Sequence, residues 1–225
     1  NSNDQIIHDV NQIHYLKSVL RTKKSDYVTV FNREFLCLTK VINITKNTCE
    51  LEIIDQKKIE SEDHNITLFF SPIKRTPLEI MIQKCSEIGI SIFQPVIMER
   101  TNMKNVNFER LRLIAVEACE QSNRNKIPKI NKPISFATMI NDNSLAGYLY
   151  CSLDNNEEKI KNRKLTKNEA IGIIIGPEGD FSAKEYESLK SKKKSIGVTL
   201  GPNILKSETA AITATSIIMD KIYNA

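Results

Sequence analysis

The 225-residue chain contains no tryptophan, and aromatic residues make up only 6% of it. Proteins that bind single-stranded nucleic acid by stacking bases on aromatic side chains carry more of them, so the composition does not favour that class. No apolar run approaches the ~18 residues that cross a bilayer. The N-terminus also lacks the positive-then-apolar pattern of a secretory signal. We therefore expect a cytoplasmic protein without a membrane-spanning segment.

Metal-binding arrangements of cysteine and histidine are missing as well. The five cysteines are dispersed without a CxxC pair, and the three histidines are too few to suggest a metal site. Dispersed cysteines in an odd number are typical of reduced, mostly buried thiols. We expect no protein-bound metal.

What the chain does have is a balanced composition. Hydrophobic residues make up 40% and charged residues 26%, and the formal net charge is +5. This balance can bury a core and argues against wholesale disorder. The mild excess of positive charge fits a polyanionic partner but does not demand one.

The sequence pattern changes near residue 65. Before that point come short, alternating, β-branched runs within residues 28–38, 41–44 and 48–54, broken up by polar turns such as Asn32-Arg33 and Lys46-Asn47. They predict a small antiparallel sheet or barrel, preceded by a short helix over residues 12–20. After that point, apolar runs alternate with amphipathic stretches, which predicts an α/β domain with a mostly parallel sheet. We therefore expect one domain over residues 1–65 and a second over residues 66–225.

The second domain opens with the pattern of a β-α-β unit. Residues 66–73 are almost continuously apolar, as in a strand buried on both faces. Thr76 and Glu79 match a capping box with Pro77 at the first helical position, and an apolar stripe at helical spacing continues to Gly89. The next strand is predicted over residues 90–98, parallel to the first with a right-handed crossover.

The alternation continues to the C-terminus. Strands are predicted over residues 147–153, 171–175 and 196–200. Helices are predicted over residues 107–123 and from Ser207 to about Tyr223. Ser182 and Glu185 match a second capping box, which predicts a further helix between the last two strands.

Two of these strands run directly into Gly-Pro loops, Gly176-Pro177 and Gly201-Pro202. In open α/β sheets, ligands bind beyond the carboxyl ends of the strands. Glycine lets the backbone approach a ligand, and proline stiffens the loop. The paired loops suit a small molecule held by main-chain groups and by aliphatic side chains such as Ile204. Each Gly-Pro pair is equally well explained as a simple strand-to-helix turn.

Neither loop carries the GK[ST] of a phosphate-binding loop or the GxGxxG of a dinucleotide fold. An ordinary ATPase or NAD enzyme is therefore disfavoured. The final helix is rich in small residues, which suits either an internal packing face or a subunit interface.

Together these motifs resemble a known family. The segment 176–179 with Ser182 and Glu185, and the segment 200–210, are similar to the RsmE group of SPOUT methyltransferases. These bacterial enzymes methylate N3 of a uridine in 16S ribosomal RNA. The segments 14–21, 83–89 and 117–124 extend the resemblance over nearly the whole chain.

The resemblance implies a fold and a function. It implies a PUA-like, RNA-binding β-barrel over residues 1–65, and an S-adenosylmethionine-dependent methyltransferase domain with a trefoil knot over residues 66–225. It also implies a homodimer with its sites near the subunit interface. The implied substrate is uridine 1498, in the usual bacterial numbering, of free 16S rRNA or of the small ribosomal subunit.

The resemblance also assigns site residues. The expected S-adenosylmethionine-binding residues are Ser152, Leu153, Ile175, Gly176, Pro177, Glu178, Gly179, Leu200, Gly201, Asn203, Ile204, Leu205 and Thr209. The catalytic candidates are Lys206, Arg124 and Glu208. The two cations would favour the uridine N3 anion, and the carboxylate would take the N3 proton. RNA contacts are expected from His14, Arg21, Lys74, Arg75, Arg100, Gln121, Arg124 and Lys126, with Lys104, Arg112 and Lys129 as further basic candidates.

Simpler explanations stand beside these assignments. One alternative for Glu208 is that it merely stabilises the helix dipole. The alternative for the basic residues is that they form an ordinary solvated surface. The chain departs from the family at Asp180, where a second glycine is common, and at Asn203 and Lys206, where arginine is common. Lys206 keeps the charge but loses the bidentate fork of arginine. Two other functions stay open: a non-catalytic RNA-binding module that has lost its cofactor site, and an α/β nucleotide-binding enzyme of another type.

Overall fold

The computed structural model of the chain describes residues 4–31, 34–58, 65–103, 106–153, 158–162 and 169–224. The basic candidate Lys104 lies outside these residues. The chain divides into two compact units, Asn1–Ser61 and Glu62–Ala225. Among the described residues, none of the helices is both long and apolar enough to cross a membrane.

The first unit is an antiparallel sheet with a short helical segment. In its described part the strands are β1 (Asp4–Ile7), β2 (Tyr27–Phe31), β3 (Phe35–Ile44) and β4 (Cys49–Lys58), in the order β1-β4-β3-β2. Helix α1 (Val10–His14) continues into a π-helical turn at Tyr15–Val19. Ile13 and Leu16 of this segment form a small core with Val41, Cys49 and Leu51. The predicted antiparallel sheet and the short helix are confirmed.

One strand boundary in this unit was predicted wrongly. The sequence pattern breaks between residues 38 and 41, but β3 runs through this stretch without interruption. The break in the pattern coincides with shifts in the pairing of β3 with β4, at Leu38/Thr39 and at Val41/Asn43. A β-bulge changes which face a side chain occupies without ending the strand, so it disturbs the alternation and leaves the strand intact. The sequence pattern also missed β1.

The second unit is a parallel sheet flanked by helices. Its described strands are β5 (Ile66–Phe70), β6 (Ile92–Ile97), β7 (Lys129–Ile130), β8 (Ile134–Ser135), β9 (Gly147–Cys151), β10 (Glu158–Lys159), β11 (Ile171–Ile175) and β12 (Ser195–Thr199). The described helices are α2 (Arg75–Ile88), α3 (Phe108–Gln121), α4 (Phe136–Asn141), α5 (Ala183–Ser191) and α6 (Ser207–Tyr223), with a 3₁₀ turn at Ile160–Asn162. The sheet order is β10-β12-β9-β11-β5-β6-β7, with β8 beside β6, and the recorded pairings are parallel. The predicted α/β fold class is confirmed, and the trefoil knot stays a prediction.

Strands β5 and β11 form the centre of this sheet. They pair along their whole length, and every residue of both is buried. Because alternate side chains face opposite sides, Leu68 and Ile173 join the core under α2 and α6, while Phe69 and Ile174 join a second core on the other face. Burial on both faces explains why these strands read as continuous apolar runs.

Helix α2 begins earlier than predicted. Its N-cap is Lys74, which makes no side-chain capping bond. The predicted capping box of Thr76 and Glu79 is therefore wrong, because the Glu79 carboxylate accepts instead from Arg75 at 2.9 Å and lies 3.5 Å from Arg110 Nε. The predicted end of the helix is confirmed at Gly89, which has φ +142° and donates its N–H to the Cys85 carbonyl.

Candidate functional site

Three loops leave the sheet side by side at one edge. β12, β9 and β11 are adjacent and parallel, so their carboxyl ends at Thr199, Cys151 and Ile175 point to the same edge. The structure describes Ser152 and Leu153 after β9, and it describes residues 176–182 and 200–206 after the other two strands. This is the edge at which open α/β sheets bind ligands.

The loop at residues 176–182, here called the braced loop, is fixed by side chains from distant elements. Ser207 Oγ donates to the Gly176 carbonyl at 3.2 Å, and Arg100 Nη1 donates to the Gly179 carbonyl at 2.7 Å. Within the loop, the Asp180 N–H donates to the Pro177 carbonyl at 2.9 Å. The buried Phe181 ring lies 3.3 Å from the place where a Cβ on Gly176 would stand, so the ring packs directly against the backbone of the loop.

The turn that carries Arg100 is itself held in place. Thr101 Oγ1 accepts from the Met98 N–H at 2.8 Å and shares a hydrogen bond of 2.8 Å with Ser71 Oγ. The neighbouring Glu99 N–H donates to Glu185 Oε1 at 2.9 Å. The carboxyl ends of β5, β6 and β11 are thus joined by hydrogen bonds that do not depend on a ligand.

Glu185 also completes the capping box predicted from the sequence. Its Oε2 accepts from the Ser182 N–H at 2.9 Å, and Ser182 Oγ accepts from the Glu185 N–H at 3.3 Å. Glu185 is only 5% exposed. Both carboxylate oxygens therefore have partners, which offsets the cost of burying the charge.

The loop at residues 200–206, here called the open loop, has a different character. Gly201 has φ +143°, and a Cβ placed on it would meet no atom within 4 Å. Thr199 Oγ1 donates to the Gly201 carbonyl at 3.3 Å, a bond within the loop region itself. Asn203 and Lys206 are exposed, and Ile204 is 80% exposed. Among the described residues, no side chain from a distant element bonds this loop.

Helix α6 begins directly after the open loop. Lys206 occupies the N-cap position without a side-chain capping bond, and Glu208 lies in the first turn. The first N–H groups of a helix have no partner within it, and the partial positive charge there favours an anion. Glu208 is well placed for this stabilising role, and it is also next to the exposed Lys206.

These features fit a small ligand with a flat ring and polar edges. Open space lies in front of Gly201, and the exposed apolar side chains Ile204 and Leu153 stand on neighbouring loops. Pro177, in the braced loop, is buried, and its ring restricts the backbone there. Among the described residues, no group of three His, Cys, Asp or Glu side chains is placed to hold a metal ion.

The structure separates the predicted RNA-contacting residues of the second unit into two groups at opposite edges of the sheet. Lys74, Arg75 and Arg100 follow the carboxyl ends of β5 and β6, at the same edge as the loops. Gln121, Arg124 and Lys126 follow the C-terminus of α3, just before β7, which pairs with the start of β6. Within one chain they therefore lie at the other edge.

Arg124 has a structural task at that edge. Its Nη1 donates to the Ser86 carbonyl at 2.7 Å and its Nη2 to the Gly89 carbonyl at 3.0 Å, at the C-terminus of α2. A cation there complements the helix dipole and satisfies carbonyls that lack helical partners. Burial lowers the pKa of Arg124, although the guanidinium stays charged. We therefore carry only Lys206 and Glu208 forward as catalytic candidates from the same chain.

His14 and Arg21 belong to the first unit. Both are exposed, and His14 Nδ1 lies 3.2 Å from Ser18 Oγ. Arg21 has φ +54°, an uncommon backbone conformation for a residue with a side chain.

Sequence reasoning missed several residues that shape the site. It assigned Arg100 to RNA contact only, and it did not single out Thr101, Ser207 or Tyr186. The Tyr186 hydroxyl donates to the Asp180 carboxylate at 2.9 Å. The sequence clue to this pair was Asp180 itself, an aspartate at a position with φ +62° that glycine occupies more easily.

Comparison with known proteins supplies a family context. A family model described as an RNA methyltransferase domain matches residues 60–219, and one described as an RNA methyltransferase PUA domain matches residues 8–54. The chain is 35% identical over 209 residues to ribosomal RNA small subunit methyltransferase E of Rickettsia conorii, covering 91% of this chain and 84% of that protein. It is 30% identical to the protein of the same name from Buchnera aphidicola, with 92% and 87% covered.

A solved structure is similar over almost the full length. Ribosomal RNA small subunit methyltransferase E from Neisseria gonorrhoeae, in a crystal structure bound to S-adenosyl methionine, matches with a TM-score of 0.86 and 28% identity. The match covers 98% of this chain and 93% of that one. Both units of the fold are therefore included in the similarity.

Proposed function

Because the chain belongs to the RNA methyltransferase family of the small subunit methyltransferase E proteins, we propose that it methylates N3 of uridine 1498 in 16S ribosomal RNA with S-adenosylmethionine. Membership of this family makes the chain an RNA methyltransferase. The proposal adds the cofactor, the target uridine and the N3 position. The observation that carries the proposal is the pair of Gly-Pro loops at the carboxyl ends of the parallel strands β11 and β12, which flank β9 in the sheet.

The loops fit the proposed cofactor. S-adenosylmethionine supplies a methyl group already activated on its sulfonium. Its adenine ring needs apolar side chains on its faces and main-chain groups at its edges. The exposed Ile204 and Leu153 provide apolar surface, and the backbone around Gly201 is accessible because nothing stands within 4 Å of a Cβ built there. The braced loop, through Gly176, Glu178 and Gly179, forms the fixed side.

The chemistry then depends on Lys206 and Glu208. Uridine N3 carries a weakly acidic proton that must leave before or during methyl transfer. The ammonium of Lys206 would stabilise negative charge that develops on N3 and the adjacent carbonyl oxygens. Glu208, two residues away at the start of α6, is the candidate acceptor of the proton. Holding donor and acceptor in line supplies much of the remaining rate enhancement.

RNA binding would use both units. Lys74, Arg75 and Arg100 surround the loops in the second unit, and His14 and Arg21 lie in the first unit, where the RNA methyltransferase PUA model matches. Cations that neutralise phosphates release counterions, so the affinity for RNA should fall as salt is raised. Phosphate contacts position the RNA without reading its sequence.

We also propose that the protein is a homodimer, as the resemblance implies. We propose a cytoplasmic location for it, because its proposed substrate is ribosomal RNA. Light scattering of the purified protein tests the first: a mass near twice the 25.6 kDa of one chain supports the homodimer. A monomer at micromolar concentration would remove it from the proposal.

The reaction itself is tested by product analysis. The protein and S-adenosylmethionine are incubated with 16S rRNA, and separately with small ribosomal subunits, from cells that lack the modification. Digestion to nucleosides and mass spectrometry should reveal 3-methyluridine, and RNA with cytidine at the target position should give none. Comparison of the two substrates shows whether assembly is required.

Other products would change the conclusion. A 2′-O-methylated nucleoside would point to another reaction of RNA methyltransferases. Absence of cofactor binding together with tight RNA binding would favour the non-catalytic module. ATP or NAD released from the purified protein would favour a nucleotide-binding enzyme of another type.

A further inference from the structure

Tyr186 lies between two of the loops at the site. It is in the first turn of α5, where its N–H donates to the carbonyl of the N-cap residue Ser182 at 2.9 Å. Its ring packs edge-to-face against Phe181, with centroids 5.3 Å apart, and against Tyr150, with centroids 6.2 Å apart. Aromatic pairs in this geometry are favourable, so the direction of the Tyr186 ring is fixed by packing.

The hydroxyl of Tyr186 meets residues from both loops. It lies 2.9 Å from Asp180 Oδ2 and 3.1 Å from Oδ1, and it donates its proton to this carboxylate. On its other side is the end of β9: the Tyr186 ring packs on Tyr150, and the Ser152 side chain and the Leu153 backbone act as hydrogen-bond donors that lower the pKa of the hydroxyl. A phenolic hydroxyl has one proton to donate and can accept two. One side chain therefore connects Asp180 of the braced loop with the end of β9 and the loop that follows it.

Asp180 occupies a backbone position at which glycine would be less strained. Its backbone has φ +62°, which glycine adopts freely and residues with a Cβ adopt rarely. Aspartate is among the side chains that tolerate this conformation best. A glycine here would hold the turn without strain, but it would leave the Tyr186 proton without this acceptor. The aspartate provides a bond to α5 that the turn itself does not need.

We propose that Tyr186 and Asp180 form a latch, defined as these two side chains, that sets the distance between the loop after β9 and the braced loop before the cofactor binds. Tyr186 is thus a positioning residue for methyl transfer. This inference rests on the cofactor site of the proposed function. Its physical basis is preorganisation: loops already ordered in the free protein lose less entropy on binding.

The protonation state of Tyr186 is consistent with this role. Burial is the main cause that raises its pKa, and the hydrogen bond to Asp180 and the charge of that carboxylate raise it further. The bonds from Ser152 and Leu153 act in the opposite direction but are outweighed. The hydroxyl therefore keeps its proton at neutral pH and remains a donor to Asp180.

The test compares Tyr186→Phe with matched changes at Asp180. Tyr186→Phe keeps the ring packing and removes only the hydroxyl. Asp180→Asn keeps an oxygen acceptor and tolerates the same φ, whereas Asp180→Gly keeps the turn and removes the acceptor. Calorimetry measures S-adenosylmethionine affinity. Hydrogen exchange of the Leu153 amide is measured in protein without cofactor.

We expect Tyr186→Phe to weaken cofactor binding about 10-fold, as for the loss of one well-placed hydrogen bond. The Leu153 amide should exchange at least about 10-fold faster, because its acceptor is gone. The KM for RNA should change less than about 2-fold, since the latch pair offers no cation to a phosphate. Asp180→Asn should retain near-normal affinity. The Tyr186→Phe, Asp180→Gly double variant should be no worse than Tyr186→Phe alone.

Two results would overturn the latch, and a third separates it from the proposed function. Unchanged Leu153 exchange in Tyr186→Phe would show that the hydroxyl does not hold the loop. Normal cofactor affinity in Tyr186→Phe would show that the loop distance does not matter. Failure of the unaltered protein to bind S-adenosylmethionine would instead overturn the proposed function, and the exchange measurement would still decide whether the latch exists.

Discussion

The two Gly-Pro loops begin with the same dipeptide after the same kind of buried strand, yet they differ in how they are held. The braced loop is bonded by Arg100 and Ser207, which are 79 and 31 residues away along the chain. The open loop has its main recorded bond to Thr199, directly before it, and it presents Ile204 to solvent. One loop is held by hydrogen bonds from distant side chains, whereas the other is held, among the described residues, by the packing of Leu200 and Leu205 on the core and by local bonds.

This difference suggests a division of labour. A fixed loop provides geometry at little entropic cost on binding, whereas an open loop can move against its ligand and exclude water from it. Under the proposed function, the braced loop would position the cofactor, and the open loop, which ends at Lys206, would cover it and supply the chemical group.

The largest effect is expected from blocking the open loop. Gly201→Trp forces a residue with a side chain into φ +143° and fills the space in front of the backbone. Calorimetry should show loss of S-adenosylmethionine binding by about 1,000-fold or more, because strain and steric exclusion act together.

Two smaller changes serve as controls for this variant. Gly201→Ala adds the strain with little bulk and should give an intermediate loss. Gly147→Ala, whose Cβ would meet only the Lys194 carbonyl at 3.9 Å, should bind normally. Unchanged affinity in Gly201→Trp would show that the open loop is not part of the cofactor site.

Removal of the cation on the open loop should affect chemistry more than binding. We expect Lys206→Ala to lower kcat by about 100-fold, as for loss of one group that stabilises transition-state charge. The dissociation constant for S-adenosylmethionine should change less than about 3-fold. Single-turnover kinetics and calorimetry measure the two quantities.

Lys206→Arg and Lys193→Ala are the matched variants. Arginine keeps the charge and should restore part of the rate. Lys193 is an exposed lysine in the turn between α5 and the start of β12, at the end of that strand opposite the open loop, and its loss should have no effect. Equal losses of rate and cofactor affinity in Lys206→Ala would instead make Lys206 a cofactor-binding residue.

Removal of a brace should make the first loop resemble the second. Arg100→Ala removes the donor at 2.7 Å from the Gly179 carbonyl. Cofactor affinity should fall about 10-fold, because the loop must now be ordered on binding. Amide hydrogen exchange in residues 178–181 should become faster. Arg100→Lys, with one compact donor group, should lie between the two.

RNA binding by the same variant separates the two roles of Arg100. If the side chain also contacts phosphate, the salt dependence of RNA affinity should become shallower by about one charge. A changed salt dependence with normal cofactor affinity would assign Arg100 to RNA alone and contradict its role as a brace.

The smallest effect is expected at the apolar tip of the open loop. Ile204→Ala should weaken cofactor binding about 5-fold, the effect of losing the Cγ1, Cγ2 and Cδ1 carbons from a contact that is only partly buried. The melting temperature of the cofactor-free protein should not change, because Ile204 is 80% exposed.

Ile80→Ala provides the comparison. Ile80 is an exposed isoleucine on α2, 43% accessible, and its loss should leave cofactor affinity unchanged. Equal affinities for the Ile204 and Ile80 variants would mean that the open loop does not close over the ligand.

Local sequence rules succeeded where the interactions were local. Residues 171–175 were predicted as a buried strand and match β11, and the capping box of Ser182 and Glu185 forms as predicted. The capping box of Thr76 and Glu79 failed because Glu79 was taken by Arg75 and by Arg110, which belongs to another helix. The break expected within β3 failed because its cause is the pairing with β4.

The sequence by itself determined the α/β alternation, the two Gly-Pro loops and their family, because apolar periodicity, capping residues and glycine are properties of short segments. Only the tertiary structure decided which loop is braced and which is open, and that Arg124 caps α2 at the opposite edge. It also decided that Tyr186 reaches Asp180 and the loop after β9 at once. These outcomes depend on hydrogen bonds between residues far apart in the chain, and the partners of such bonds are chosen by packing of the whole domain.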